Sequence, residues 1–419
     1  MYQSASYAAA QRRSRRLKLL LPAALALVLV AIGLFVSQPF WQDPPRPTAE
    51  PILPASAKIP GTPPELPWPS TGQAAVSVEG LGDLGTFGSP TPVAIGSVAK
   101  VMTAYVVLTD HPLGVGESGP SLTVSAAQAA AYPAEKARGE SLIRVAAGAK
   151  FTQRQALQAV MLPSANNMAR ILAAWDAGSV AAFVDKMNAM ATGLGMADTR
   201  YTDPAGLAPD TVSTAVDQVI LTRKAMALPA FAEIVAQSKA TVPVEGTITN
   251  YNDLLGRDGV VGVKTGSTDQ AGGCFTFAAV VKVGTTSLLV VGAVLGQPGA
   301  HTPEQLRAVF RATTPLVRSA GAALGVHKVV TAGQEVAAVR GPLDTGTTLR
   351  AARDVEVIGW PGLEVRLGTE IPPVPRQLTA GAEHGRVTAT VGAQPPVGGP
   401  LHSGDQLEPP GVWDRLTRR

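Results

Sequence analysis

Ser97-Val98-Ala99-Lys100 opens an apolar run that continues through Met102, Tyr105 and Val106 to Leu108, and its reading decides the fold. Val98, Met102, Tyr105 and Val106 recur at helical spacing, so Ser97 to Leu108 is expected to be a helix. Three residues apart on one helix, Ser97 and Lys100 share a face, and the amine can reach the hydroxyl. A serine hydroxyl is a weak nucleophile until a base takes its proton. A lysine serves as that base when burial or neighbouring cations lower its pKa. Gly96 allows a sharp turn that puts Ser97 near the positive end of the helix. Alone, the pattern is weak evidence and fits an ordinary helix start with a lysine reaching to water better.

Two further pieces follow in order. Ser164-Ala165-Asn166 comes after Pro163, in a loop between the expected helices Gln153 to Leu162, with Thr152 as N-cap, and Asn166 to Trp175. Lys264-Thr265-Gly266 is expected to end a strand Val260 to Val263, with Ser267 next. Singly these read as a helix cap and a strand-end turn. As an ordered trio they match S-x-x-K, S-x-N and K-T-G of serine β-lactamases and penicillin-binding proteins.

With this trio the sequence resembles the low-molecular-mass D-alanyl-D-alanine carboxypeptidases of the penicillin-binding type, over roughly residues 74 to 325 and more weakly beyond. Met187-Asn188, Leu194-Gly195-Met196 and Thr199-Arg200-Tyr201-Thr202-Asp203-Pro204-Ala205-Gly206-Leu207 extend the likeness, with Tyr201 for the family's usual Phe and Asp203 for its usual Asn. Thr268-Asp269-Gln270-Ala271-Gly272 is also similar. Where the family often has an arginine before the last helix of this domain, His301 stands here. The resemblance implies an α/β penicillin-binding or serine β-lactamase-like domain, a sheet packed by helices with a helical subdomain.

It also implies a serine-type D-Ala-D-Ala carboxypeptidase that trims peptidoglycan stem peptides in cell wall metabolism. Ser97 would form the acyl-enzyme, Lys100 take its proton, and Ser164 relay a proton to the leaving D-alanine. Asn166, Lys264, Thr265, Gly266 and Ser267 would bind substrate, with the N–H groups of Ser97 and Ser267 as oxyanion hole. The partners implied are a stem peptide ending in D-Ala-D-Ala and β-lactams as covalent inhibitors; the chemistry needs no cofactor and no metal. Three alternatives stay open. A class A-like β-lactamase would need an E-x-x-L-N loop, which neither Glu233 nor Glu245 begins. A DD-transpeptidase uses the same chemistry, and a non-catalytic wall-binding scaffold would keep only the fold.

Other catalytic patterns are missing from the sequence. There is no H-E-x-x-H and no G-x-S-x-G. The five histidines (His111, His301, His327, His384, His402) lack zinc-ligand spacing. Lone Cys274 allows no intrachain disulfide. Nearly half the residues, 46%, are apolar, enough for a sizeable core.

Of 35 basic residues five lie in the first 43, and of 31 acidic residues one does, leaving 30 of each in the body. No basic cluster remains there, so nucleic acid is not an expected partner. The basic segment 1–18 precedes the uncharged stretch 19–41, whose Leu19 to Val36 is close to bilayer-spanning length. Basic residues on its N-terminal side favour that side staying in the cytoplasm, and the stretch is expected to be an uncleaved single-pass anchor in the cell membrane, with the catalytic domain outside. A cleaved signal peptide is the rival reading, but Ser37-Gln38-Pro39-Phe40-Trp41 lacks the small-residue site, and Ala55-Ser56-Ala57 lies far downstream. Residues 42–72 read as a proline-rich linker. The catalytic domain is expected over 73–325, beginning at the strand Ala74 to Val78. Val180 to Thr192 reads as a helix closed by Gly193, Cys274 to Val283 and Ser287 to Leu295 as a hairpin turning at Gly284-Thr285-Thr286, and Pro303 to Ala323 as a helix. A small β-rich domain over 326–408 and a tail over 409–419 complete the expected organisation.

Overall fold

The computed structural model describes residues 22–35, 45–411 and 414–415. The expected basic segment 1–18 lies outside the described residues, and so does much of 19–41. Residues 22–35 form helix α1, with Leu25, Leu27, Leu34 and Phe35 all more than half exposed. Among the described residues no helix is long and apolar enough to cross a membrane.

The centre is a five-stranded antiparallel sheet: β11 (Val260–Thr268), β12 (Gly272–Val283), β13 (Thr286–Gln297), β3 (Gln73–Val78) and β4 (Gly82–Phe87), in that order. Every residue of β3 is buried. Both faces of the inner sheet are covered, which is why β12 and β13 read as nearly continuous apolar runs and not as alternating ones, while edge strand β4 is partly exposed. On one face lie α2 (Lys100–Asp110), α7 (Ala215–Met226) and α8 (Pro229–Val235), backed by α3 (Ala126–Ala137), α4 (Gln153–Met161), α5 (Asn166–Ala177) and α6 (Val180–Gly193). On the other lies α9 (Thr302–Ala323). Phe275 of β12 meets Phe310 of α9 edge to face, ring centroids 5.5 Å apart, a contact worth about 0.5–1.5 kcal/mol beyond its buried area. Three short ladders brace the helical side: β5 (Val93–Ala94) with β8 (Val212–Ser213), β6 (Ser121–Thr123) with β7 (Lys150–Thr152), and β9 (Lys239–Val242) with β10 (Gly246–Thr249). Thr152 caps α4 as expected, in a reciprocal box with Gln155.

Several local expectations shift. Strand β11 does not stop at Val263; it runs through Lys264-Thr265-Gly266 to Thr268, because the whole stretch pairs with β12. Gly193 lies inside α6, and the left-handed residue that ends the helix is Gly195, at φ +77°. The hairpin turns on Gly284-Thr285 alone, Thr286 already pairing with Val283. Helices α3, α7 and α8 had no counterpart in the sequence reading.

After α9 the chain builds a β unit: β14 (Gly325–Val330) pairs with β17 (Val355–Gly359) beside a seven-stranded sheet. That sheet runs β1 (Thr48–Pro51), β15 (Glu335–Arg340), β16 (Gly346–Ala351), β20 (Val397–Ser403), β19 (Glu383–Val391), β18 (Glu364–Glu370), β2 (Ser56–Lys58). The expected linker therefore supplies both edge strands, and Ile59 and Leu66 behind it are buried. Edge strands tolerate proline because half their N–H groups need no partner, so Pro51 can sit opposite Ala337. From Pro51 to Ser56 an extended chain reaches at most about 18 Å. Seven flat strands would hold their edges about 29 Å apart. The sheet must curl until its edges nearly meet. The strap Ile52–Ala55 reinforces this, with Ile52 N–H donating to Val336 O at 2.8 Å and Leu367 N–H donating to Ala55 O at 2.9 Å.

This closure makes a prediction. A chain starting at residue 45 keeps both edges covered, whereas one starting at residue 71 leaves two open edges and an uncovered apolar groove. Thermal melts and size-exclusion profiles should show the 45–419 protein monodisperse and the 71–419 protein less stable and associating. Identical melts and profiles would refute the closing role of residues 48–58.

Candidate active site

The chain turns into the site at Gly96, whose φ is +53°. A Cβ there would lie 3.2 Å from the Ser267 amide nitrogen, so glycine answers both the backbone conformation and the close approach of β11. Gly96–Ala99 then forms a 3₁₀ turn, and the α-helix proper starts at Lys100. The expected helix start at Ser97 is thus one tighter turn, in which residues i and i+3 nearly eclipse. That geometry brings Lys100 Nζ to 2.7 Å from Ser97 Oγ. Gly266 faces the same turn from β11: a Cβ on it would stand 2.9 Å from Ser97 N and 2.8 Å from Val98 N. The close approach that only glycine allows packs the backbone of β11 at Gly266-Ser267 directly against the turn that carries Ser97.

Lys100 has no exposed surface. Its Nζ also lies 2.7 Å from Asn166 Oδ1 and 2.7 Å from the Ala205 carbonyl. Burial, and after it the nearby charge of Lys264, holds the amine well below the ordinary lysine pKa; Asp203 and Glu140 pull the other way, and Arg170 pulls down. Lys264, 1% exposed in mid-strand, is lowered by burial to about 7 and bonds the Thr265 carbonyl at 3.0 Å. Ser164 is left-handed at φ +64°, uncommon for a residue with a Cβ, and its Oγ is buried with no hydrogen-bond partner among the described residues.

Ser97, Ser164, Asn166, Thr265, Gly266 and Ser267 line one cleft of about 120 Å³. Lys100 and Lys264 lie buried beside it. A larger cleft of about 650 Å³ on the β unit, lined by Glu370, Glu383 and Arg386, brings no nucleophile next to a base. Sequence reasoning quoted Leu207 in the Thr199–Leu207 stretch and missed the rest of the smaller cleft's wall: Gly139, Glu140 and Ser141 on one loop, Tyr251, and Thr302 and Leu306 from α9. None stands in a short motif, and only folding brings them together. Ser267 Oγ donates to Thr302 Oγ1 at 2.9 Å. His301 is turned away, its ring 3.4 Å from the Glu304 carboxylate and its side chain 58% exposed.

The loop after α6 explains the Ala205 carbonyl. Asp203 Oδ1 accepts the N–H groups of Ala205 (2.7 Å) and Leu207 (3.1 Å), and Oδ2 accepts those of Ala208 (2.9 Å) and the Thr211 hydroxyl (3.1 Å). Thr103 in α2 ties the same loop through the Pro204 carbonyl at 2.6 Å. Both carboxylate oxygens of Asp203 therefore face donors, and an asparagine would set its NH₂ against an N–H.

Comparison with known proteins agrees with this geometry. Residues 88–296 match the family described as D-alanyl-D-alanine carboxypeptidase. The chain is 34% identical over 227 residues to the D-alanyl-D-alanine carboxypeptidase of Streptomyces sp. strain K15, covering half of this chain and 75% of that one. The chain belongs to the D-alanyl-D-alanine carboxypeptidase family. Another family member, DacB2 of Mycobacterium tuberculosis, is 40% identical over 144 residues, covering 33% of this chain, and the match spans about half of that relative, 49%. The solved penicillin-binding protein 5 of Haemophilus influenzae shares the fold over 83% of this chain and all of its own, with TM-score 0.57 and 22% identity.

Replacing Asp203 with the family's more usual asparagine tests the loop. Asp203→Asn leaves one donor opposed to another, which costs about 1–3 kcal/mol, and removes a negative charge that raises the Lys100 pKa. The melting temperature should fall, and the acid limb of penicillin labelling should move to lower pH. A limb that stays or moves to higher pH would contradict the charge assignment.

Proposed function

We propose that the chain is a serine D-Ala-D-Ala carboxypeptidase acting on peptidoglycan stem peptides, anchored at the cell membrane with the described body outside. The observation that carries this reading is the fully buried Lys100 amine, 2.7 Å from Ser97 Oγ and from two carbonyl oxygens. A neutral amine has two N–H donors and one lone pair. The Asn166 and Ala205 oxygens take the two donors, so the lone pair faces the Ser97 hydroxyl, which donates to it. Ser97 Oγ then attacks the carbonyl of the penultimate D-alanine as its proton passes to Lys100. The oxyanion would lie against the Ser97 and Ser267 N–H groups, each such donor worth roughly 3 kcal/mol.

Collapse of the tetrahedral intermediate breaks the peptide bond and needs a proton on the departing amine. Ser164 Oγ, buried at the cleft and without a hydrogen-bond partner among the described residues, would relay it, and the proton held on Lys100 would replenish the relay. Thr265, Ser267 and Thr302 offer hydroxyls to the substrate's terminal carboxylate, whose charge would favour protonated Lys264. A charged Lys264 in turn favours neutral Lys100, so substrate arrival sets the pair for attack. Water then cleaves the ester and frees Ser97. Each step balances without a metal or cofactor.

A class A-type β-lactamase would need a carboxylate base beside the deacylating water. Glu140 is the one carboxylate among the cleft-lining residues, and it is a poor base. Burial opposes its ionisation, but Arg170 and Arg138 outweigh burial and hold its pKa below the usual glutamate value. The anchor reading is supported by the charge step at Lys18 and the apolar stretch after it.

The test is release of D-alanine from a peptide ending in D-Ala-D-Ala, together with a penicilloyl adduct at Ser97 lasting minutes. Fast penicillin hydrolysis with no D-alanine released would overturn the reading. Ser97→Ala and Lys100→Ala should both abolish acylation in folded protein, while Lys264→Arg, which keeps a cation, retains part of it. Because only neutral Lys100 accepts the proton, labelling should rise with pH through the folded pKa of Lys100, and that rise should lie well below pH 10. Flat labelling across that range would exclude Lys100 as base.

A further inference from the structure

The loop 138–141 carries an ion cluster that the mechanism above does not use. The Glu140 side chain is only 6% exposed although it borders the cleft. Its Oε1 accepts from Arg138 Nε (3.0 Å) and Nη2 (2.7 Å), and its Oε2 accepts from Arg170 Nη2 (2.6 Å) and Asn166 Nδ2 (3.3 Å). Arg170 is itself braced by Glu135 at 2.7 Å. Asn166 is further held by its backbone N–H, which donates to Ser141 O at 2.8 Å. A continuous path thus runs from two arginines through Glu140 and Asn166 to Lys100 and Ser97.

We infer that Glu140 is a positioning residue: it fixes the Asn166 amide so that the oxygen, and not the nitrogen, faces Lys100. The inference rests on the carboxypeptidase reading. The two ends of an asparagine amide have nearly the same shape, and their hydrogen-bond partners decide which way they point. Beside a neutral lysine either orientation makes a bond. With the oxygen toward Lys100, Asn166 takes an N–H and leaves the lone pair for Ser97. With the nitrogen toward Lys100, the NH₂ donates into the lone pair, and the base is lost to its own neighbour. A carboxylate can only accept, so Glu140 forces Nδ2 to its side. Arg138 and Arg170 keep it a carboxylate. Around the amine, Lys264, Asp203 and Arg170 supply charge from β11, the 203–208 loop and α5, but only Glu140 contacts the group that chooses the orientation.

Glu140→Gln and Glu140→Met remove the acceptor-only group, whereas Glu140→Asp keeps it. The experiment measures the second-order rate of acylation by a fluorescent penicillin, the D-alanine release rate and the thermal melt, each alone and in an Asn166→Ala background. Gln and Met should lower acylation roughly tenfold or more, the loss of one hydrogen bond to a charged group, and Asp should recover part of it. In the Asn166→Ala background the same substitutions should change the rate by less than about twofold, because Glu140 acts through Asn166. Wild-type acylation rates in folded Gln or Met variants, or an equal fold-loss in both backgrounds, would overturn the positioning role alone. An unsubstituted chain that neither labels with penicillin nor releases D-alanine would overturn the carboxypeptidase reading itself, and this inference with it.

Discussion

A lysine amine kept wholly out of water governs this molecule. Water would hold Lys100 protonated, and a protonated amine cannot take the Ser97 proton. Neutrality demands burial, and burial demands that the two remaining N–H groups find oxygens. The Ala205 carbonyl and the Asn166 amide supply them, from elements more than 35 residues apart in the chain. The tight turn at Gly96, the glycine of β11, the Asp203-bound loop and the left-handed Ser164 are all requirements of that one amine and the hydroxyl beside it.

The second lysine follows from the same constraint. Lys264 is the second buried amine of the site, and its charge lowers the pKa of Lys100. Lys264, lowered by burial to about 7, sits in the strand that also brings Thr265 and Ser267 to the cleft. In the proposed function, recognition of an anionic peptide end and activation of the nucleophile are coupled through the charge on Lys264. The two apolar cores on either face of the central sheet supply the stability that tolerates such a site. One packs the helical side and the other joins α9 to the β unit.

The parts of this design that rest on short-range patterns could be read from the sequence. Ser97 and Lys100 are one turn apart, Lys264-Thr265-Gly266 is contiguous, and Thr152 with Gln155 is a local cap. The central strands announce themselves as unbroken apolar runs. What stayed hidden depends on distant pairing. Glu140 lies in a polar turn that reads as ordinary loop until α5 folds against it. Asp203 resembles a conservative exchange until its four donors are seen. Residues 48–58 were misread because proline is a sound sign of missing ladder bonds, and an edge strand needs only half of them. Lys264 was placed at a strand end because the motif interrupts the apolar run, while the backbone pairing continues beneath it.

The pairing of Thr48 with Arg340 and of Lys58 with Glu364 has a consequence in time as well as space. The first strands of the body to leave the ribosome have partners among the last. At about 5–20 residues per second, β1 and β2 wait on the order of tens of seconds for β15 and β18 to be made. During that interval the central sheet can assemble from β3 onward, but the curled sheet cannot close. The nascent chain carries two unpaired strands until synthesis is nearly done, and their shortness, with Pro51 in β1, limits pairing with the wrong neighbour while they wait.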